Sequence, residues 1–313
     1  MQNVKQNVQK LFLIFSSLWE THKKYLIFLE IITNAVPGNV CAAGGPFQMG
    51  MDFSRKSWYD VVDQNERMIF VKLLIVRHAE PDYSIDSLTE KGFREAEFLS
   101  QRLSQIEAKA YYVSPLGRAK DTAAPTLKKV GRTAVECPWL REFDASIDRP
   151  DRTDRKTIAW DWLPQDWMAE DKFFLQDQWH QVKNMTDGGV RERFEAVTGE
   201  LDKLLEHHGY RREGKLYRAV SPNNDTIVLF CHFGVTCVLL SHLFNLSPMI
   251  LWHNFCALPS SVTTVVTEER REGVVSFRML GFGDVSHLYA NGEEPSFAAR
   301  FRECYTNDWE RLD

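Results

Sequence analysis

Two histidines follow directly after apolar runs of strand length, and one of them has an arginine beside it. Leu73–Val76 leads into Arg77 and His78, and the run that begins at Thr226 ends in His232. Histidine can act as a nucleophile or exchange a proton, and arginine binds anions through two parallel hydrogen bonds. The pattern therefore predicts buried strands that place reactive groups at a cleft.

The surrounding sequence predicts the elements that would hold these residues. From Met68 onward, strand-length apolar runs alternate with segments of helical period, such as the helix after Thr89, which is typical of an α/β fold. We expect three α/β/α layers with a mostly parallel central sheet, a polar loop at 212–225 and a final edge pair of strands. Ligands bind at the carboxyl ends of such strands, so His78 and His232 are expected to meet although they are 154 positions apart.

The composition excludes some classes of function. The 313-residue chain is 44% hydrophobic, enough for a sizeable core, and its formal charge of −5 argues against a general nucleic-acid or membrane-surface protein. Six scattered cysteines without a CxxC pair favour a reducing, cytoplasmic compartment. Cys231 and Cys237 flank His232, but small buried hydrophobes are a better interpretation than metal ligands. No metal or cofactor is expected.

The chain divides into two parts. Residues 1–67 read as an N-terminal extension of uncertain status, whose two apolar runs are too short to span a membrane. A signal peptide, an amphipathic surface helix and a start assigned too far upstream are alternatives for it. Residues 68–313 form the second part, and an irregular section at about 146–189 looks like an insertion.

Five short motifs in a fixed order resemble the histidine phosphatase superfamily, also called the phosphoglycerate mutase-like family. They extend over roughly residues 71–279 and read "LLIVRHAE", "LTEKG", "SPLGRAKDTA", "LREFD" and "VLFCHFG". The resemblance implies a phosphoglycerate mutase-like fold and a metal-independent phosphomonoesterase that acts on a small phosphorylated substrate through a phosphohistidine. A phosphoglycerate mutase-type phosphomutase and a non-catalytic phospho-ligand binding protein are the alternatives.

The resemblance also implies a role for each site residue. His78 would be the nucleophile, and Arg77, Arg118 and His232 would hold the transferring phosphoryl group. Glu142 would be the general acid and base. Asp144 is its rival, because the family's usual glycine after the aromatic residue is replaced here by "DAS". The short segment "EPDYSIDS" after His78 departs from the mutase pattern and favours a hydrolase.

Several other polar and aromatic residues allow more than one interpretation. Glu80 and Ser84 could contact phosphate, orient Arg77 or be ordinary loop groups, and Ser114 is expected to cap the next helix. Section 146–189 contains four of the nine tryptophans, which could form a substrate lid or a small core. Its acidic and basic residues are expected to neutralise one another. We expect structural roles for three further histidines, His242, His253 and His287. The sequence leaves open a homodimer.

Overall fold

The structure, a computed structural model, describes residues 70–152 and 154–296. The predicted extension 1–67 lies outside these residues. The strands are β1 (Lys72–Arg77), β2 (Pro81–Asp82), β3 (Ser87–Leu88), β4 (Ala110–Val113), β5 (Val135–Glu136), β6 (Ser146–Ile147), β7 (Thr157–Ile158), β8 (Tyr210–Glu213), β9 (Leu216–Ala219), β10 (Thr226–Cys231), β11 (Val262–Arg271) and β12 (Val274–Asp284).

The α-helices of the same residues surround the sheet. They are α1 (Glu90–Leu103), α2 (Gly117–Val130), α3 (Pro164–Met168), α4 (Lys183–Asp187), α5 (Val190–His207), α6 (Phe233–Phe244), α7 (Pro248–Asn254) and α8 (Ser286–Tyr289). None of these described helices is long and apolar enough to cross a membrane. The predicted cap of α1 is confirmed, since the Thr89 hydroxyl accepts a hydrogen bond from the Gly92 N–H at 3.0 Å.

The described residues form one eight-stranded sheet in the order β5-β4-β10-β1-β11-β12-β9-β8. Side chains of β1 alternate between two cores: Leu73 and Ile75 face the side of α5 and α6, whereas Leu74 and Val76 face α1 and α2. The predicted three-layer α/β fold is thus confirmed. All four residues are buried because both faces of this central strand are covered.

The sheet is mixed rather than mostly parallel. Pairing is parallel from β5 to β1 and antiparallel from β1 to β8. The β11–β12 pair is internal, because the β8–β9 hairpin extends the sheet beyond it. This hairpin arises within the stretch expected to be a polar loop, and its turn contains Gly214 with φ 63°. Only Tyr210 and Tyr217 are buried in it, so the apolar pattern was too sparse to predict strands.

Section 146–189 contributes to the main core. Its four tryptophans are all buried there: Trp160, Trp162, Trp167 and Trp179. Trp179 meets Trp252 of α7 edge-to-face with 6.0 Å between ring centroids. Arg149, which is buried, donates to both carboxylate oxygens of Asp151 at 2.6 and 2.9 Å. The tryptophans therefore form a core rather than a lid, and charges of the section neutralise one another.

His253 of α7 contacts residues of section 146–189. Its Nδ1–H donates to the Met249 carbonyl at 2.8 Å, and its Nε2 accepts the Trp162 N–H at 3.3 Å. The ring also stacks on Trp167 at 5.0 Å between centroids. Burial lowers the pKa of His253 to about 4. A proton on Nε2 would, in addition, face the Trp162 donor.

We expect the folded protein to lose stability in acid because His253 becomes protonated. Its pKa is lower in the folded chain than in the unfolded chain, so its stabilising effect is complete above pH ~6.5 and is lost as the pH falls toward 4, by about 3 kcal/mol. Urea unfolding followed by tryptophan fluorescence at several pH values measures it. The variant His253→Gln should lose less stability between pH 7 and 4, and a loss equal to wild type would contradict the prediction. The exposed His207→Gln is the control.

Candidate active site

The register of β1 and β10 brings the two predicted histidines together. Arg77 pairs with Cys231 in this parallel register, and His78, the next residue, donates its N–H to the Cys231 carbonyl at 3.0 Å. The ring centroids of His78 and His232 are 5.1 Å apart. Both side chains are buried. The adjacent ends of two parallel strands therefore create the site, as expected for this class of sheet.

The orientation of His78 determines which of its nitrogens can react. Nδ1 lies 2.7 Å from the Ala79 carbonyl, which can only accept, so Nδ1 carries the proton and Nε2 keeps its lone pair. Burial, reinforced by Arg77, holds the pKa of His78 well below its usual value. The imidazole is therefore neutral at pH 7.

Thr122 of the "SPLGRAKDTA" motif supports this orientation. Its hydroxyl accepts the Ala79 N–H at 2.9 Å and donates to the Arg118 carbonyl at 2.7 Å. The loop after the nucleophile candidate is in this way tied to the first turns of α2. One motif thus positions both Arg118 and the backbone next to His78.

Arg118 is held by an aspartate that the sequence analysis did not single out. Its Nη1 donates to Asp86 Oδ1 at 2.6 Å, and Asp86 Oδ2 accepts the Gly117 N–H at 2.8 Å. A Cβ at Gly117 would lie 2.0 Å from the Asp86 carbonyl oxygen, so this close approach requires glycine. The buried Nε of Arg118 has no hydrogen-bond partner within residues 70–152 and 154–296. That N–H remains available to an anionic ligand.

Arg77 is almost fully buried and is anchored from the other side of the site. Its Nη1 donates to the Ala257 carbonyl. Its guanidinium carbon lies 5.6 Å from the centroid of the Phe233 ring, at the start of α6. These contacts hold a cation beside His78 in one orientation.

Glu142 has the environment of a neutral carboxylic acid. Its Oε1 accepts the N–H groups of Phe143 at 2.8 Å and Val235 at 3.0 Å. Burial raises the pKa of Glu142 despite these donors and Arg77. Because Oε1 already accepts hydrogen bonds, the proton of the neutral form belongs on Oε2. A Cβ at Gly234 would lie 2.7 Å from Oε1, so this glycine allows the close approach.

Asp144, the rival of Glu142, lies in a different environment. It is exposed and forms ion pairs with Arg193 and, at 3.4 Å, with Arg141. Glu142 is the carboxyl group of this motif that interacts electrostatically with Arg77. The structure therefore groups Glu142, and not Asp144, with Arg77, Arg118, His78 and His232.

Two of the loop residues considered in the sequence have local partners. Glu80 accepts the Thr89 hydroxyl at 2.8 Å and also binds Ser296. Ser84 donates from its N–H and its hydroxyl to Asp82, at 2.9 and 2.5 Å. These contacts match the interpretation of both as ordinary loop polar groups.

Ser114 was assigned a different role in the sequence, and Tyr83, like Asp86, was not singled out. The expected helix cap is not formed by Ser114, because α2 begins after Leu116 and has no side-chain cap; the Ser114 hydroxyl accepts the Leu116 N–H at 3.3 Å and lies 2.7 Å from His232 Nε2. It follows β4, so the strand-end argument used for the histidines could have found it. Tyr83 lies over Arg118, with 5.3 Å from its ring centroid to the guanidinium carbon. No sequence signal separated Tyr83 from other loop residues.

The cysteines near His232 behave as buried hydrophobic groups. Burial raises the pKa of Cys231 to about 12 and that of Cys237 well above its usual value, which keeps both thiols protonated. In the part of the chain that the structure describes, no group of three or more histidine, cysteine or acidic residues is arranged to hold a metal ion.

Comparisons with known proteins agree with the motifs. A sequence model of the histidine phosphatase superfamily (branch 1) matches residues 73–279, well over half of the chain. Over 60 residues the chain is 38% identical to the 2,3-bisphosphoglycerate-dependent phosphoglycerate mutase of Thermoplasma acidophilum. That match covers 16% of this chain and 30% of the mutase, so the chain spans less than a third of that relative.

Several solved structures are similar at low sequence identity. A phosphoserine phosphatase from Entamoeba histolytica, in complex with 3-phosphoglyceric acid, is 16% identical with a TM-score of 0.45, covering 70% of this chain and 99% of that one. YhfR from Bacillus stearothermophilus is 24% identical with a TM-score of 0.44 and coverages of 70% and 99%. A mycobacterial glucosyl-3-phosphoglycerate phosphatase is 17% identical with a TM-score of 0.43 and coverages of 68% and 99%.

Proposed function

We propose that this chain, which belongs to the histidine phosphatase superfamily, hydrolyses monoesters of phosphate with small metabolites through a phosphohistidine at His78. The observation that carries the proposal is the state of His78. Its ring is neutral, Nδ1–H is held by the Ala79 carbonyl, and Nε2 is available beside Arg77. A neutral nitrogen in one orientation is what attack on phosphorus requires.

The phosphoryl group would be bound by fixed cations and N–H donors. Negative charge is spread over its equatorial oxygens during transfer, so stabilisation must come from groups already in place. Arg77 and Arg118 supply two guanidinium groups, and the unpartnered Nε of Arg118 supplies a donor. Since these arginines take the part of the cation, we expect turnover to resist chelators.

In the first step, His78 Nε2 attacks phosphorus and forms a P–N bond. The P–O ester bond breaks, its electron pair goes to the leaving oxygen, and this oxygen takes the proton from Glu142 Oε2. The alcohol leaves. The raised pKa of Glu142 keeps this proton on the carboxyl group until the leaving oxygen needs it.

In the second step, Glu142, now a carboxylate, takes a proton from a water molecule as the water oxygen attacks phosphorus. The P–N bond breaks and its electron pair returns to His78 Nε2. Inorganic phosphate is released and both residues regain their starting states. One carboxyl group therefore acts as acid and then as base.

The surroundings of the site support a small substrate. His78 and Arg77 are only 2% and 3% exposed, so we propose that only a small ester reaches them. Tyr83 is 63% exposed, yet its hydroxyl interacts electrostatically with Arg77, Arg118 and Glu142. We place the leaving alcohol against this tyrosine, on the side of Glu142.

Two further predictions concern the whole chain. The buried thiols of Cys137, Cys231 and Cys237 support a cytoplasmic location. Residues 146–189 are proposed to be an insertion that completes the core.

Phosphate release tests the proposal. We expect wild-type protein to release inorganic phosphate from an aryl phosphate and from a subset of sugar and amino-acid phosphates, at equal rates with and without chelator. An isomerised phosphoester without phosphate release would indicate a mutase. Binding of phosphoesters with no turnover would indicate a binding protein. Either result would overturn the hydrolase proposal.

A further inference from the structure

We propose that Ser114 is a positioning residue that keeps the proton of His232 on Nδ1, so that this nitrogen donates to the phosphoryl group. The consequence for rate rests on the proposed function, whereas the position of the proton does not.

The contact is short, buried and built on rigid backbone. Ser114 follows β4, and its N–H donates to the Phe230 carbonyl of β10 at 2.9 Å. Its hydroxyl lies 2.7 Å from His232 Nε2. Neither residue has any measurable exposure. Water therefore does not compete for this hydrogen bond, and the serine has a fixed geometry relative to the imidazole.

The partners of the Ser114 hydroxyl determine its direction. Its oxygen already accepts the Leu116 N–H at 3.3 Å. Its proton has one acceptor in the part of the chain described here, which is His232 Nε2. If Nε2 carried a proton instead, the hydroxyl proton would lose its acceptor inside a buried site. The favoured arrangement is therefore O–H donating to a bare Nε2, with the ring proton on Nδ1.

The other ring nitrogen is then a donor without a partner. His232 Nδ1 is buried and has no hydrogen-bond partner among residues 70–152 and 154–296. The ring centroid lies 5.1 Å from that of His78. A buried N–H without an acceptor is costly, and an oxygen of a phosphoryl group on His78 would supply the acceptor.

The protonation of His232 makes its tautomer important. Burial, then His78, Arg118 and Arg77, hold the pKa of His232 well below its usual value. The free protein therefore has one ring proton to place, not two. In the opposite tautomer, Nδ1 would present a lone pair to the oxygens of the phosphoryl group. A donor that stabilises the transition state would become a repulsive contact.

Nitrogen NMR of protein with ¹⁵N-labelled histidine measures the tautomer directly. The His232 signals are assigned from those missing in His232→Gln. We expect wild type to show a protonated Nδ1 and a bare Nε2, and inorganic phosphate to shift the Nδ1 proton. The variant Ser114→Ala should shift population toward the Nε2–H tautomer, and Ser114→Thr, which keeps the hydroxyl, should restore the wild-type pattern.

The kinetic arm uses the same variants. Ser114→Ala should lower kcat about tenfold to hundredfold, part of the ~10²–10³ that a whole transition-state donor contributes, with a smaller change in KM. Ser100→Ala is the matched control. Ser100 is also a buried serine, but its hydroxyl donates to Glu97 and accepts from Lys129. This control should keep wild-type kcat.

Each outcome bears on the proposal. A wild-type His232 with its proton on Nε2 would overturn it, whatever the enzyme hydrolyses and even if Ser114→Ala does not fold. Unchanged tautomer and kcat in folded Ser114→Ala would also overturn it. An inactive wild type with the proton on Nδ1 would contradict the proposed function but support the assignment of the tautomer.

Discussion

The variant His78→Asn is expected to lose phosphate release by about 10⁴-fold to 10⁶-fold in kcat, the size of effect seen when a covalent nucleophile is removed. The asparagine amide can still donate to the Ala79 carbonyl, as His78 Nδ1 does at 2.7 Å. It has no nitrogen lone pair to attack phosphorus. The loss would therefore reflect the missing nucleophile rather than a misplaced loop.

A trapping experiment separates this explanation from a general disturbance. Wild-type protein mixed with a ³²P-labelled aryl phosphate and quenched within milliseconds should carry acid-labile label, whereas His78→Asn should carry none. The Tm of unquenched His78→Asn should stay close to that of wild type. A His78→Asn protein that keeps more than about 1% of wild-type kcat would contradict the assignment of His78 as nucleophile.

The variant Glu142→Gln is expected to lower kcat for alkyl phosphates by about 10²-fold to 10⁴-fold. The glutamine oxygen can take the place of Oε1 and still accept the Phe143 and Val235 N–H groups. The proton on Oε2 is lost, so a poor leaving group no longer receives one. Aryl phosphates need less protonation, and with them we expect the second step to become slow and the phosphohistidine to accumulate.

The pH profile provides an independent signature of the same residue. Glu142 must be protonated for the first step, so kcat/KM of wild type should fall as the pH rises through its raised pKa. Protonation of His78 removes the nucleophile, and since its pKa is well below the usual value, the acid limb should lie below the ordinary histidine range. In Glu142→Gln the alkaline limb should disappear while the acid limb remains.

Asp144→Asn is the matched control for this prediction. Asp144 is two residues away in the same segment, but it pairs at the surface with Arg193 and Arg141. We expect wild-type kcat and an unchanged alkaline limb. If Asp144→Asn lost more activity than Glu142→Gln, the general acid would have to be reassigned.

Much of the candidate site could be predicted from the sequence because its residues lie in short motifs, some of them at the ends of apolar strands. Arg77, His78 and His232 stand at the ends of apolar strands, whereas Arg118 and Glu142 were named from the resemblance of their motifs to the family. Glu142 was preferred, but Asp144 stayed a rival because both lie in one irregular segment. The choice depends on which carboxyl group contacts the start of α6, and that is a contact across 93 positions of the chain.

The prediction of the fold was limited by long-range pairing. A β8–β9 hairpin with two buried tyrosines has too few apolar residues to stand out, and it becomes part of the sheet only because Tyr217 and Arg218 pair with β12. The internal position of β11 depends likewise on its pairing with β1. Strand order is set by such contacts, which no local pattern contains.

The sequence by itself determined the family and the α/β layers and predicted the residues of the candidate site, because strand and helix periods and motif spacing are local properties of the chain. Only the tertiary structure decided the protonation and orientation of these residues. Burial makes His78 neutral and raises the pKa of Glu142, while contacts such as Ser114 to His232, 118 positions apart, select one ring nitrogen. Desolvation and hydrogen-bond direction exist only once distant segments are packed together.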